Sequence, residues 1–390
     1  MKIARIDPVV VNAGLRNWIF VKVTTDQDGL YGWGEATTEW KTRAVVGAIQ
    51  DLASLAVGRD PRDIEQLCRT MVKRHYWPPG IVGMSAISGI EQALWDIFGK
   101  SVGLPVWRLL GGKVRDRVKV YTHLGMGDTE SVYRTFDCDG LVDKARELLS
   151  KGYLALKVVF IPFTHYGTDA AATRHVGKLM AALRDAVGEN VDLMVDFHGR
   201  CASISSALAY IDQIAPHMPL FVEEPIQPGD AAAMQRISEL ARCPIATGER
   251  LVGRREFDEL FSRRAISIAQ PDISHCGGLL EAKKIAAAAE TAHIGMAPHN
   301  PLGPIAGTVA LHFAVSTPNF VIQEEMVGAT DRYWNFVKSP IEMMDGHWSV
   351  PHAPGLGVEV DEAFARRFPY REEPLLTEDA LMPDGTVVDW

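Results

Sequence analysis

Three carboxylates stand at nearly equal intervals, each at the end of a short apolar run: Asp196 after Leu193-Met194-Val195, Glu223 after Phe221-Val222, and Glu249 after Ile245-Ala246-Thr247-Gly248. Twenty-seven residues separate the first pair and twenty-six the second. Such an interval is close to one strand-plus-helix unit of a β/α barrel, roughly 30 residues, so the three groups would converge at one mouth of such a barrel. Three clustered anions repel strongly in a low dielectric unless a cation neutralises them. An all-oxygen set suits Mg2+, Mn2+ or Ca2+ better than zinc, and Mg2+ is the expected ion. Taken singly, each acid is equally consistent with pairing to a neighbouring arginine, Arg200 or Arg250. Three in register favour the metal.

The next strand ends carry proton chemistry. Gln270-Pro271-Asp272 and Ala297-Pro298-His299 close two further apolar runs. An Asp beside an imidazole orients it and raises its proton affinity, as a general base near neutral pH requires. Alone, His299 would more often be a structural histidine; Asp272 on the adjacent strand end tips the reading towards a base. His198 lies two residues beyond Asp196, so strand alternation directs both side chains to one side, where His198 could face a metal-bound substrate. The alternatives for His198 are a loop hydrogen bond or zinc ligation, and no second histidine stands at ligand spacing for zinc. Glu324, in Ile322-Gln323-Glu324-Glu325, ends the last run and completes the ring. It could donate a hydrogen bond to an enolate oxygen or form a plain salt bridge.

These residues need elements that deliver eight strand ends to one place. From Val118 onward, apolar runs at 118–121, 155–159, 193–196, 220–223, 245–246, 266–270, 295–298 and 320–323 alternate with helical stretches such as the alanine-rich 169–186 and 278–292. The pattern predicts an α/β fold, a modified (β/α)8 barrel. A doubly wound sheet shares the alternation, but it needs no acids at consecutive strand ends and usually carries a Gly-rich phosphate turn, which Gly32-x-Gly34 does not complete. Ahead of the barrel, runs at 3–11, 19–24 and 31–34 predict an antiparallel meander. Ile87, Ile90, Leu94 and Ile97 give 85–100 an apolar helical face. The expected division is an N-terminal α+β domain at 1–115, the barrel at 116–345, and a C-terminal segment at 346–390 that returns to the N-terminal domain.

Bulk properties bound the function. A chain of 390 residues with 47% hydrophobic and 23% charged residues has the composition of an ordinary globular protein with a sizeable core. The formal charge of -9, with no basic block, argues against a nucleic-acid partner. Five widely spaced cysteines without a Cys-x-x-Cys pair read as reduced core thiols. The charged start Met1-Lys2-Ile3-Ala4-Arg5 lacks the apolar run of a signal peptide, and no stretch is long enough to span a bilayer. A cytoplasmic protein without a membrane partner is expected.

Several strings together resemble the enolase superfamily, its mandelate racemase-like branch, and within it the acid-sugar dehydratases, the D-galactonate dehydratases among them. They are Gly32-Trp33-Gly34-Glu35, Ser85-Ala86-Ile87, Ala93-Leu94-Trp95-Asp96, Leu110-Gly111-Gly112 and Gly355-Leu356-Gly357-Val358-Glu359-Val360. Most specific are Asp196-Phe197-His198-Gly199-Arg200 and Ala297-Pro298-His299-Asn300-Pro301-Leu302-Gly303-Pro304. The resemblance implies that the N-terminal domain and the tail cap the barrel, and that Mg2+ sits on Asp196, Glu223 and Glu249. It implies a small-molecule sugar acid, an aldonate such as D-galactonate, D-mannonate or D-gluconate. His299 with Asp272 would take the proton at C2, the enediolate would be stabilised by the cation and Glu324, and His198 would protonate the departing C3 hydroxyl. The product would be a 2-keto-3-deoxy acid.

The resemblance also implies pocket residues from the cap and barrel loops: Arg16 and Asn17 beside Trp18, His75 and Trp77 beside Tyr76, and Tyr166 in the loop 160–168. Lys157 would contact the carboxylate or metal, or pack its stem near a strand end. Val159 stands where many racemases of the branch carry a second lysine, which disfavours two-base racemisation. A homo-oligomer is expected on the same ground. The competing readings are a racemase or epimerase of a 2-hydroxy acid using His299 and Lys157, and a non-catalytic sugar-acid-binding scaffold.

Overall fold

The computed structural model describes residues 1–14, 16–74, 76–124, 137–373 and 380–389. The chain opens with the expected meander, β1 (Ile3–Asn12), β2 (Asn17–Thr25) and β3 (Tyr31–Glu35), paired antiparallel in that order. Three helices follow, α1 (Thr42–Ala56), α2 (Ile64–Lys73) and α3 (Gly80–Val102). The glycines of β3 admit α3 at backbone distance: a Cβ at Gly34 would lie 1.9 Å from Gly89 O, and one at Gly32 2.1 Å from Ala93 O. Nearly every residue of α3 from Ser85 to Ile97 is buried, so this helix is an axle of the molecule rather than a surface element.

After the short α4 (Val106–Leu109), strands and helices alternate: β4 (Arg117–His123), α5 (Cys138–Ser150), β5 (Ala155–Val158), α6 (Ala170–Val187), β6 (Asp192–Asp196), α7 (Ile204–Ile214), β7 (Phe221–Glu223), α8 (Ala231–Leu240), β8 (Ile245–Thr247), α9 (Arg254–Ser262), β9 (Ile268–Ala269), α10 (Leu279–Thr291), β10 (Gly295–Met296), α11 (Pro304–Ser316) and β11 (Gln323–Glu324). β4 to β10 pair in parallel in chain order. The segment at β11 closes the circle, because Phe320 bridges Met296 in parallel on one side and Gln323 pairs with Val120 of β4 on the other. All eight predicted runs are barrel staves.

One inward side chain from each stave fills the interior: Tyr121, Ala155, Met194, Phe221, Ala246, Ile268, Ala297 and Ile322 form a separate buried cluster. Strand alternation then dictates the next inward layer, two residues further along. That layer reads His123, Lys157, Asp196, Glu223, Gly248, Gln270, His299 and Glu324. Apolar packing below thus fixes a polar ring above. Gly248 is the single gap, and its φ of +142° breaks the alternation so that Glu249 takes the place.

The tail carries β12 (Val337–Lys338), β13 (Met343–Met344), β14 (His347–Ser349), β15 (Glu359–Val360) and α12 (Glu362–Ala365). Its first part stays with the barrel: β14 pairs antiparallel with the amino-terminal half of β4, Trp348 opposite Val118. From Gly355 it turns to the N-terminal elements. Leu356 N–H donates to Asp96 Oδ1 at 2.8 Å, Trp33 Nε1 donates to Glu359 Oε2 at 3.1 Å, and Lys22 pairs with Glu362. All five cysteines are free, and no described helix is long and apolar enough to cross a membrane.

Candidate active site

The oxygens of Asp196, Glu223 and Glu249 lie within 4.8 Å of one another at the carboxyl-terminal mouth of the staves. Lys157 rises between them from β5, its Nζ 2.7 Å from Glu324 Oε1, 2.8 Å from Glu223 Oε2 and 3.3 Å from Asp196 Oδ2. Burial disfavours the ammonium, but Glu223 and Glu324 outweigh it and hold Lys157 well above the ordinary lysine range. Burial and the charge of Asp196 push Glu223 up to about 7 against the pull of Lys157. Burial and Glu224 likewise raise Glu249 well above the usual carboxylate range. Asp196 moves the other way, because His198 and Lys157 overcome the effect of burial.

The residues fit a hard divalent cation. Glu223 Oε1 is buried and has no hydrogen-bond partner among the described residues. The donor set is three carboxylates, and raised proton affinity at two of them is what a cation relieves. Arg250 is bonded mainly to a neighbour of the cluster: its Nε donates to Glu224 Oε2 at 2.8 Å, its Nη2 to the same oxygen, and its Nη1 to Gln227 Oε1 at 2.8 Å, while Nε stands 3.9 Å from Glu249 Oε1. The arginine explanation therefore accounts for Glu224 and leaves Glu223 to the ring.

Two histidines flank the cluster. His198 follows Asp196 in a left-handed conformation, φ +51°, that a non-glycine residue holds only at a cost. Its N–H donates to Asp196 Oδ1 at 2.8 Å, and its ring folds back to place Nε2 3.2 Å from Asp196 Oδ2. On the opposite flank, His299 Nδ1 lies 2.8 Å from Asp272 Oδ2. A carboxylate only accepts, so that nitrogen carries the hydrogen. Nε2 is turned to Glu249 Oε2 at 3.3 Å. Burial disfavours the imidazolium, but Glu249 and Asp272 outweigh it and push His299 up to about 10.

Of the two roles the sequence left open for Glu324, a hydrogen-bond donor or a salt bridge, the geometry matches the second: it is held as an ionised acceptor. Lys157 and His123 Nε2, at 2.5 Å, meet Oε1, while Asn300 N–H donates to Oε2 at 2.6 Å. Burial resists the charge, yet Lys157 and His123 bring the carboxyl well below its ordinary range. His123 was not singled out from the sequence, although its place at the end of the first stave was a sufficient signal. Gln270 was also passed over: both its side-chain polar atoms are buried in the ring without a partner among the described residues.

The expected pocket residues scatter more widely. Arg16 pairs with Glu39 and donates to Pro301 O at 2.9 Å, which sets it against the loop that carries His299. Asn17 is tied into the tail instead of the ring: its Nδ2 donates to Arg371 O at 2.7 Å, its N–H to Glu373 Oε1 at 2.7 Å, and Asn12 reaches its Oδ1. Trp18 is buried edge-on against Tyr333 and Phe336. Trp77 is 76% exposed and Tyr166 67% exposed, the latter on a loop whose backbone accepts from Ser203 Oγ at 2.9 Å. His75 lies outside the described residues.

Comparison with known proteins places this geometry. Residues 5–111 match the mandelate racemase / muconate lactonizing enzyme N-terminal domain, and residues 140–364 match the enolase C-terminal domain-like family. The D-galactonate dehydratase of Xanthomonas oryzae pv. oryzae (strain PXO99A) is 37% identical over 381 residues, 96% of each chain. An enolase from Agrobacterium radiobacter, solved with bound Na and L-malate, superposes with a TM-score of 0.90 at 30% identity over 100% of both chains. A mandelate racemase/muconate lactonizing enzyme-like protein from Roseovarius sp. TM1035 gives 0.88 at 35% identity, covering 96% of this chain and 97% of that one. With a meander and barrel of matching order and an acidic triad at the barrel mouth, the chain belongs to the mandelate racemase and muconate lactonizing family of enolase-like proteins.

Proposed function

We propose that the chain is a hydro-lyase that removes water from a sugar acid, with Mg2+ held by Asp196, Glu223 and Glu249. The observation that carries this reading is the placement of one histidine on each flank of the acidic cluster, His198 against Asp196 and His299 against Glu249. When bound, the divalent ion supplies charge stabilisation to the substrate carboxylate, whose neighbouring C–H is otherwise a very weak acid. With Glu249 holding a cation, the charge that favours the His299 imidazolium would be offset; His299 Nε2, with Nδ1 held by Asp272, is the atom placed to accept the C2 proton. Asp272 holds the ring in the required tautomer and supports the imidazolium. His198 then delivers a proton to the C3 hydroxyl; the C3–O bond breaks, water leaves, and the resulting enol tautomerises to a 2-keto-3-deoxy acid. Lys157, fixed as a cation, offers its charge to the substrate carboxylate.

Racemisation needs a second base across the ring from His299. Lys157 is the residue nearest to that role, and its three carboxylate contacts keep it protonated. Dehydration is therefore the better reading. The D-galactonate dehydratases at 37% identity make D-galactonate the first aldonate to try, followed by D-mannonate and D-gluconate. The protein incubated with Mg2+ and this panel should yield a 2-keto-3-deoxy product, detectable as a semicarbazone. Silence over a broad panel counts against the proposal, and deuterium entering recovered substrate with inverted configuration would move the assignment to an epimerase. We infer in addition that 1–115 caps the barrel of 116–345 and that 346–390 completes the cap; the bonds from Asp96, Trp33 and Lys22 to the tail support that division.

A further inference from the structure

Four of the barrel helices cap themselves. Asp137, Asp169, Ser203 and Asp230 immediately precede α5, α6, α7 and α8 and accept hydrogen bonds from their first turns. α10 and α11, which follow the strand ends bearing Asp272 and His299, are preceded by Gly278 and Gly303 and have no cap of their own. Their acceptors come from the N-terminal elements. Glu91 on α3 accepts from Leu279 N–H at 2.8 Å and Leu280 N–H at 2.9 Å. Glu35 at the end of β3 accepts from Gly303 N–H at 2.7 Å and Ala306 N–H at 2.9 Å. Both carboxylates are fully buried, where a helix N-terminus is a favourable place for negative charge. The two glycines leave the room: a Cβ at Gly278 would stand 2.3 Å from Glu91 Oε2, and one at Gly303 2.6 Å from Glu35 Oε1.

The same face of α3 grips the turn between Asp272 and α10. Ser88 Oγ accepts from Gly277 N–H at 3.0 Å. Gln92 accepts from Glu35 N–H at 2.8 Å and donates to Ser274 Oγ at 3.1 Å, joining the two capping sites. Ser85 Oγ is 2.8 Å from His275 Nδ1, whose Nε2 stands 3.6 Å from Asp272 Oδ2. Ser85, Ser88, Glu91 and Gln92 recur three or four apart, which makes them one stripe of the helix.

We propose that Glu35 and Glu91 are positioning residues for the His299–Asp272 dyad, carboxylates through which the N-terminal domain fixes the two strand-to-helix turns that deliver the base and its partner. The proposal rests on the reading of that dyad as the catalytic base. It separates two functions in the barrel. Asp196 and Glu223 end strands whose helices cap themselves, and Glu249 precedes α9, whose first N–H is held by Glu281 of α10 at 2.9 Å rather than by the N-terminal domain. Two of the three metal ligands are thus independent of the tie, while the placement of His299 depends on it.

The test compares Glu35→Gln and Gly303→Ala with the parent protein. Ala fits the Gly303 backbone, φ -86°, and its Cβ would stand 2.6 Å from Glu35 Oε1 and 2.8 Å from Trp18 Cδ2, so it displaces the carboxylate together with the edge of the indole, whereas Glu35→Gln changes the carboxylate alone. Because an ångström of misplacement costs on the order of 100-fold, both variants should lose about 10- to 100-fold in kcat, with KM and calorimetric Mg2+ affinity within about twofold of the parent. Hydrogen exchange should accelerate across 299–307 and stay unchanged across 193–200. Asp96→Asn is the control: it alters another buried α3 carboxylate, bonded to Trp33 N–H and Leu356 N–H and to no barrel helix, and should leave kcat near the parent value. Unchanged kcat and exchange in the two variants, or an equal loss of kcat in Asp96→Asn, would overturn the proposal. If Glu35→Gln does not fold, Gly303→Ala carries the same readouts, and Ser88→Ala, which frees Gly277 N–H, is read by kcat and by exchange across 272–280. If the parent protein dehydrates no sugar acid, the dehydratase reading fails and the exchange comparison alone decides the positioning.

Discussion

Lys157 balances the ring electrostatically, and its removal separates structure from metal. Taking away one partner of a buried ionic cluster typically costs about 3–5 kcal/mol. Lys157→Met is therefore expected to lower the melting temperature of metal-free protein, and saturating Mg2+ to recover more stability in the variant than in the parent. Thermal melts of both proteins with and without Mg2+ check this; equal shifts would mean that Lys157 does not offset the three acids. His299→Asn and His198→Asn should each reduce turnover by about 100- to 10,000-fold, the usual contribution of a general acid or base, while calorimetry shows Mg2+ still bound. Glu223→Ala should weaken the ion itself. Gln270 makes the opposite kind of prediction. Its two buried amide atoms lack partners among the described residues, so Gln270→Leu should hold or raise stability while kcat/KM falls, provided the amide serves the substrate. At this scale the acids and His299 were legible because each closes an apolar run, and His198 because it stands two residues past Asp196. His123 and Gln270 close runs too, and were missed because neither matched a familiar pairing.

The elements were legible wherever apolar residues repeat. The eight staves, the meander and α3 all stand where periodicity puts them, since burial on one or both faces is what the repeat records. The hairpin of β13 and β14 was not: strands of two and three residues offer no period to read. Nor could sequence show that Asn17 belongs to the tail, because its partners Arg371 and Glu373 lie more than 350 residues away. A similar long-range device sits on α11. His312 Nδ1 accepts from Trp107 N–H at 3.1 Å, and Nε2 lies 3.0 Å from Leu356 O, so the neutral ring bridges α4, α11 and the tail. Burial, partly opposed by Leu356 O, lowers its pKa to about 4 from 6.5. The unfolded chain therefore binds the proton first. Stability is fully present above about 6.5 and declines as pH falls towards 4, by about 3 kcal/mol at 1.36 kcal/mol per unit. Urea unfolding at pH 7.5 and 4.5 should show a steeper acid loss in the parent than in His312→Gln. Parallel losses would remove His312 from the account.

Two sequence domains need not unfold as two. From Ser85 to Ile97, α3 is buried on every side, with β3 packed on one flank and the turn ahead of α10 on another, so this stretch has no face adapted to water. Without the barrel, Glu91 and Gln92 lose Leu279, Leu280 and Ser274; without the N-terminal domain, α10 and α11 lose the acceptors of their first turns. The tail adds Leu356 to Asp96 on one side and β14 to β4 on the other, so neither unit can open while the rest keeps its contacts. Multidomain chains usually depart from two-state behaviour, which makes the expectation here specific. In excess Mg2+, calorimetry should give one endotherm, with calorimetric and van't Hoff enthalpies agreeing. Two resolved endotherms, or a barrel that keeps its far-ultraviolet signal after the N-terminal elements melt, would show that the buried polar stripe of α3 does not couple them. The dyad would then be held by the barrel alone.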